Sequence, residues 1–149
     1  MQRSRNRVAV LHGVNLDMLG NRDPEHYGTV TLAELQTKVK RFAGDLDLEA
    51  TFFQTNHEGE FVEYLHRLPE RADAALLNPG AWTHYSYAIR DALEIAAVPA
   101  VEVHLSDIDS REEWRRSSVL DGLVIDVVSG EGPDGYRRAL EILNGSLKT

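Results

Sequence analysis

The chain is 149 residues long, 42% hydrophobic and 27% charged, with a formal net charge of -8 and no cysteine. That length suits one domain, residues 1–149, around one core, and the missing cysteines exclude disulfides, thiolate metal sites and a cysteine nucleophile. The acidic balance argues against nucleic acid, no apolar run is long enough to span a membrane, and the one behind the basic "MQRSRNR" is too short for a signal peptide, so a cytoplasmic location is expected.

The first predicted element is a strand at "VAVL", residues 8–11. After it, "LGNRDPEHYG" at 19–28 has the composition of a loop yet carries Arg22 and Tyr27. Thr31 and Glu34 have capping-box spacing, and Leu32, Leu35, Val39 and Phe42 then fall on one helical face. A second strand is expected at "LEATFF", 48–53, followed by a helix carrying Phe61, Leu65 and Leu68 that Pro69 should stop. "AALL" at 74–77 predicts the third strand. Ala88, Ile89, Ala92, Leu93, Ala96 and Ala97 make the apolar face of a helix ended by Pro99. "AVEV" at 100–103 reads as the fourth strand, Ser110 and Glu113 as a short capped turn, and "LVIDVV" at 123–128 as the fifth strand. Pro133 suits a first helical position, with Tyr136, Ala139, Leu140 and Leu143 inward behind it. Alternating strands and helices imply right-handed crossovers. The expected architecture is therefore α/β: a flavodoxin-like three-layer sandwich with five parallel strands in the order 2-1-3-4-5.

In such a sheet the ligand crevice lies beyond the carboxyl ends of the strands, where the strand order reverses, here between strands one and three. The segments after strands one, three and four are "HGVNLDMLG", "NPGAWTH" and "HLSDIDSREEWRR". They bring Asn15, Asn78, His84, His104, Ser106, Arg111 and Arg115 to one end of the sheet. Asparagine and glycine after a strand are also ordinary turn chemistry, but polar groups at three strand ends together favour a site. Glu102 and His104 stand two apart in a strand, so a carboxylate can orient the imidazole. There is no Walker loop, no G-x-G-x-x-G and no Ser/Thr-rich flavin loop after the first strand. "SDIDSREE" fails as a calcium loop because Arg111 holds a ligand position, and no helix offers a zinc-spaced histidine pair. Chemistry without metal or cofactor is the expectation.

Four blocks, "NLDMLGNRDPEHYG", "QTNHEGEFVEYLH", "LLNPGAWTHYSYAIRDAL" and "VEVHLSDIDSREEWRR", resemble the type II 3-dehydroquinate dehydratases, and the likeness runs over about residues 8–136. The resemblance implies anti elimination of water from a cyclic β-hydroxy ketone bearing a carboxylate, a step shared by aromatic biosynthesis and quinate breakdown. It casts Tyr27 as the base that forms an enolate, Arg22 as its lid partner, and His104 as the acid that protonates the departing hydroxyl, with Glu102 behind it. Asn15 corresponds to the residue holding a water against the enolate oxygen. Asn78 lies beside the substrate hydroxyls, His84 and Arg115 bond ring hydroxyls, and the backbone N–H groups of Leu105 and Ser106 take the carboxylate. Asp91 matches a residue that reaches a neighbouring subunit's site, since family members form trimers grouped into dodecamers. A free phenol titrates near 10, so a base working near neutrality needs about 3 to 4 kcal/mol of preference for phenolate. One cation about 4 Å away supplies roughly 4 kcal/mol at an effective dielectric near 20. Arg22, assisted by Arg111, supplies it only while the lid keeps water out, because exposed pairs are worth about 1 kcal/mol or less.

The chain departs from the family pattern in two places. His12 and Val14 stand where asparagine and proline are usual, which predicts a less rigid turn before Asn15, and Asp121, Gly122 and Asp126 stand where small residues or proline are usual, around the last strand. The sequence also admits two other readings: a flavodoxin-like binding or signalling module, and a catalytically silent homologue. A receiver-type module needs an acidic cluster after the first strand and an aspartate after the third, where this chain has His12 and Asn78.

Overall fold

β1 (Arg7–His12), β2 (Glu49–Gln54), β3 (Ala74–Asn78), β4 (Ala100–His104) and β5 (Val127–Ser129) run parallel and hydrogen-bond in the order 2-1-3-4-5. The structure, a computed structural model, describes residues 5–148. β1, β3 and β4 are buried almost throughout, which is why they read as unbroken apolar runs: strands covered on both faces have no polar side to show. Alternate residues feed two cores, as a period of two dictates. Val8, Val10, Leu76, Val101 and Val103 pack with Leu35 and Val39 of α2 (Leu32–Asp45) and with Tyr136 and Leu140 of α5 (Asp134–Leu147). Ala9, Leu11, Ala75 and Leu77 pack with Phe61 and Leu65 of α3 (Glu58–Arg71) and with Ile89 and Leu93 of α4 (Tyr87–Ala96). Both halves of the Thr31–Glu34 capping box form, at 3.0 and 3.2 Å.

Several local expectations need correction. Pro69 does not stop α3, which runs on to Arg71. The proline sits in the last turn of a helix already anchored by three buried side chains, so the single hydrogen bond it forfeits is tolerated. Ala88 and Ala97 are exposed, and the apolar face of α4 is narrower than its alanines suggest. The fifth strand is three residues long, not six. Asp121 and Gly122 lie in a turn in which Leu123 and Val124 donate to the Leu120 carbonyl, and Leu120 is fully buried in the α3–α4 core. Those apolar residues are spaced to wrap a turn, not to form a ladder. No Ser110–Glu113 capping box forms: Asp107 caps the 3-10 turn Ile108–Ser110, and Glu113–Arg115 makes a second one. Pro133 is the N-cap of α5, so the helix begins one residue later than expected, at Asp134. The "loop" after β1 contains a one-turn helix, α1 (Pro24–Tyr27), which begins where Asp23 accepts from the Glu25 N–H and Pro24 presets the first helical φ.

The parallel register brings strand ends level, with His12 opposite Asn78 and His104 opposite Ser129. The loops leaving β1 and β3 then touch. A Cβ on Gly13 would lie 2.1 Å from the Pro79 carbonyl oxygen, and one on Gly80, whose φ is +68°, would lie 2.5 Å from the Val14 carbonyl oxygen. Only glycine permits that approach. The turn before Asn15 is well held despite Val14: Gly13 N–H donates to the Asn78 carbonyl at 2.8 Å, and Gln54 Nε2 donates to the Gly13 carbonyl at 3.2 Å.

Candidate active site

A cleft opens at this end of the sheet. Asn15, Arg22, Tyr27, Asn78, His84, His104, Leu105, Ser106, Arg111 and Arg115 line it, so the topology gathers every sequence-expected site residue except Glu102 and Asp91. Glu102 lies buried behind His104. Asp91 is exposed on α4, away from the cleft.

The single turn of α1 folds Arg22 and Tyr27 back on each other. Arg22 Nη2 donates to the Tyr27 hydroxyl oxygen at 2.9 Å, and its Cζ lies 3.8 Å from the centre of the phenol ring. From the loop after β4, Arg111 Nη1 donates to the same oxygen at 2.6 Å. The Arg111 side chain is only 8% exposed. Two guanidinium groups therefore converge on one phenol oxygen.

At the end of β4 a second assembly is built into the core. His104 Nε2 hydrogen-bonds Glu102 Oε2, Thr83 Oγ1 donates to the same carboxylate oxygen at 2.5 Å, and Ser118 Oγ donates to Oε1 at 2.6 Å. Burial pushes the Glu102 carboxyl up, but the hydrogen bond and charge of His104, joined by Ser118 and Thr83, outweigh it and hold the group below the usual carboxylate value. With Nε2 committed to Glu102, Nδ1 is the His104 nitrogen left for a ligand. His84 lies beside it, ring centroids 6.4 Å apart, with Nδ1 2.8 Å from the Ser117 carbonyl. A carbonyl can only accept, so His84 Nδ1 carries the proton and Nε2 is an acceptor. Burial lowers the His84 pKa, against the Ser117 bond.

Asn15 occupies a left-handed conformation, φ 69°, which its side chain tolerates better than most. Its N–H donates to Asn56 Oδ1 at 2.8 Å, tying the turn to the loop after β2. The Leu105 and Ser106 carbonyls accept from Gly132 and Gly130, which fixes the backbone of the loop beneath the cleft. Arg115 pairs with Glu112 at 2.8 Å.

The sequence model of the family described as dehydroquinase class II matches residues 6–144 of the chain. The chain belongs to this family. Among relatives, the 3-dehydroquinate dehydratase of Syntrophotalea carbinolica is 48% identical over 95% of this chain and 97% of its own. That of Pelobacter propionicus is 49% identical over 93% and 96%. The crystal structure of the type II dehydroquinase from Propionibacterium acnes superposes with a TM-score of 0.89 at 35% identity, covering 97% of this chain and 99% of that one.

The candidate site of this class II dehydroquinase is supported by residues that its sequence did not disclose. Thr83 and Ser118 complete the hydrogen bonding of Glu102. Asn56 holds Asn15. Tyr136 was legible only as a core position of α5, yet its hydroxyl lies 3.0 Å from Asn78 Nδ2 and 2.9 Å from His12 Nε2. A tyrosine at a fully buried helical position is itself a signal, because its hydroxyl must find a partner.

Proposed function

We propose that this dehydroquinase is a 3-dehydroquinate dehydratase, which removes water from 3-dehydroquinate by anti elimination to give 3-dehydroshikimate through an enolate. The observation that carries the reading is the convergence of Arg22 and Arg111 on the Tyr27 hydroxyl in the same cleft as the His104–Glu102 pair. Tyr27, as phenolate, takes the proton alpha to the ketone, and the electron pair of that C–H bond moves into the enolate. Asn15, through a water, meets the charge on the enolate oxygen, where a preorganised donor contributes several kcal/mol. The enolate then collapses, the C–OH bond breaks, and His104 gives its proton to the departing hydroxyl, which leaves as water. Glu102 stabilises the imidazolium that precedes this step. Return of the Tyr27 proton to solvent and of a proton to His104 resets the site.

Asn78, His84 and Arg115 hold the ring hydroxyls, and the Leu105 and Ser106 N–H groups take the carboxylate. No metal or cofactor enters these steps. Asp91, exposed on α4, is assigned to a neighbouring subunit's site in a dodecamer of trimers working in the cytoplasm. Adding 3-dehydroquinate and following the ultraviolet absorbance of the conjugated product tests the activity. A flat trace at high protein concentration overturns it. Light scattering that returns a particle far below twelve times the 16.7 kDa chain mass overturns the assembly.

A further inference from the structure

Beneath the cleft, His12, Tyr136 and Asn78 form a buried chain of polar groups between β1, α5 and β3. All three are shielded: His12 and Tyr136 are 0% exposed and Asn78 3%. The direction of each hydrogen bond can be derived. The Gly80 N–H lies 3.2 Å from the Asn78 side-chain oxygen, and an N–H can only be met by an acceptor. That fixes the amide with Oδ1 toward Gly80 and Nδ2 toward Tyr136, where it donates to the phenol oxygen at 3.0 Å. The Tyr136 hydroxyl, accepting from Asn78, has a single proton left, and the group beside it is His12 Nε2 at 2.9 Å. His12 Nδ1 is buried and has no partner among the described residues; a proton on Nε2 would strand both the phenol proton and Nδ1, whereas a bare Nε2 strands Nδ1 alone, so the lower-cost state is bare at Nε2 and protonated at Nδ1.

We propose that Tyr136 and His12 are positioning residues that lock the Asn78 amide in one orientation, so that it presents a fixed donor and acceptor to the substrate hydroxyls. The inference rests on the assignment of Asn78 as a substrate contact. Burial supports it by keeping the imidazole neutral, since a protonated ring has no lone pair to accept the Tyr136 proton. Phenol and imidazole also sit in contact in the core, ring centroids 5.7 Å apart and planes tilted by 36°, both fully buried. Asn78 cannot supply this rigidity itself. Its remaining restraint is the 3.2 Å bond to a loop N–H.

Two measurements test the proposal, one of them independent of turnover. In protein labelled with nitrogen-15 at histidine, His12 should show a bare Nε2 and a protonated Nδ1, and the opposite tautomer overturns the relay whether or not the protein is an active dehydratase. In kinetics, Tyr136→Phe should raise KM for 3-dehydroquinate roughly fivefold to tenfold while kcat stays within about twofold, as expected for one lost hydrogen bond used equally in ground and transition states. The same substitution in an Asn78→Ala background should change KM by less than about twofold, because the path through the amide is already cut. His12→Phe should reproduce the KM defect, and His12→Asn, which again offers an acceptor, should largely restore it. A full KM effect of Tyr136→Phe in the Asn78→Ala background, or an unchanged KM with only a lowered Tm, overturns the positioning role. An inactive wild-type protein with the expected tautomer would instead overturn the dehydratase reading and leave the relay standing.

Discussion

The two halves of the proposed proton machinery are built by opposite means. The lid, from Arg22 to Tyr27, has no buried residue in its helix and owes its shape to a cap, a proline and two arginine contacts. The β4 end is core: Glu102 is fully buried, His104 is 6% exposed, and every oxygen of the carboxylate has a donor. A polar group on the lid can be altered with little cost to the fold, because no residue of its helix is buried and Tyr27 packs against the core with its ring alone. A group in the carboxylate shell cannot, because removing one partner strands another in a dry site. Function and stability should therefore separate at the lid and move together at the β4 end.

The largest effect expected is at Tyr27. Tyr27→Phe should lower kcat about a thousandfold or more, within the range of a lost general base, with ligand affinity and Tm nearly unchanged; retention of most activity removes Tyr27 from the role of base. Glu102→Gln should lower kcat by roughly a hundredfold and also lower Tm by several degrees, since an amide nitrogen faces donors on Thr83 and Ser118; a Tm equal to the wild type would break the contrast between the regions. Arg22→Ala should lower kcat about ten- to a hundredfold with a much smaller rise in KM and no loss of Tm. Ser118→Ala sharpens the comparison by removing one donor from Glu102, with about a fivefold loss of kcat and a stability loss of roughly 1 kcal/mol by denaturant melts.

The last effect is one of pH and leaves turnover near neutrality untouched. Burial lowers the His12 pKa from 6.5 to about 4, so the unfolded chain takes up a proton below 6.5 that the folded chain refuses. Its contribution is whole above 6.5, erodes by about 1.4 kcal/mol per pH unit below it, and is lost as the pH falls through 4. His84, also lowered, acts in the same sense, whereas Glu102, held below its usual value, yields only at more acid pH. Urea melts of His12→Asn between pH 6.5 and 4 should show a shallower decline than the wild type, and an identical slope would mean that the ring is not held neutral.

How much of this was legible in the sequence follows from the range of the forces involved. Strand placement rests on apolar runs such as "VAVL", "AALL" and "AVEV", and strand order on the topology that five parallel strands with alternating helices favour. The site could be placed because topology alone sends strand ends to one crevice, and because four sequence blocks had a known counterpart. Failure came where tertiary context outweighs the local pattern: Leu123 and Val124 look like strand residues and instead close a turn on the Leu120 carbonyl, and Pro69 looks like a helix stop in a helix its neighbours already secure. The partners of Glu102 were hidden for the same reason, since Thr83 and Ser118 are distant in sequence and meet only on folding. The direction of the His12–Tyr136–Asn78 chain needed distances.

The near collision of Gly13 with Pro79, and of Gly80 with Val14, has a practical corollary for redesign. Backbones that mesh so tightly cannot be repositioned one at a time, so a longer side chain grafted onto either segment forces the other to yield and drags Asn15 and Asn78 with it. Attempts to broaden the accepted molecules by remodelling a single segment should fail, and libraries that vary 13–15 and 78–80 jointly are the ones to build.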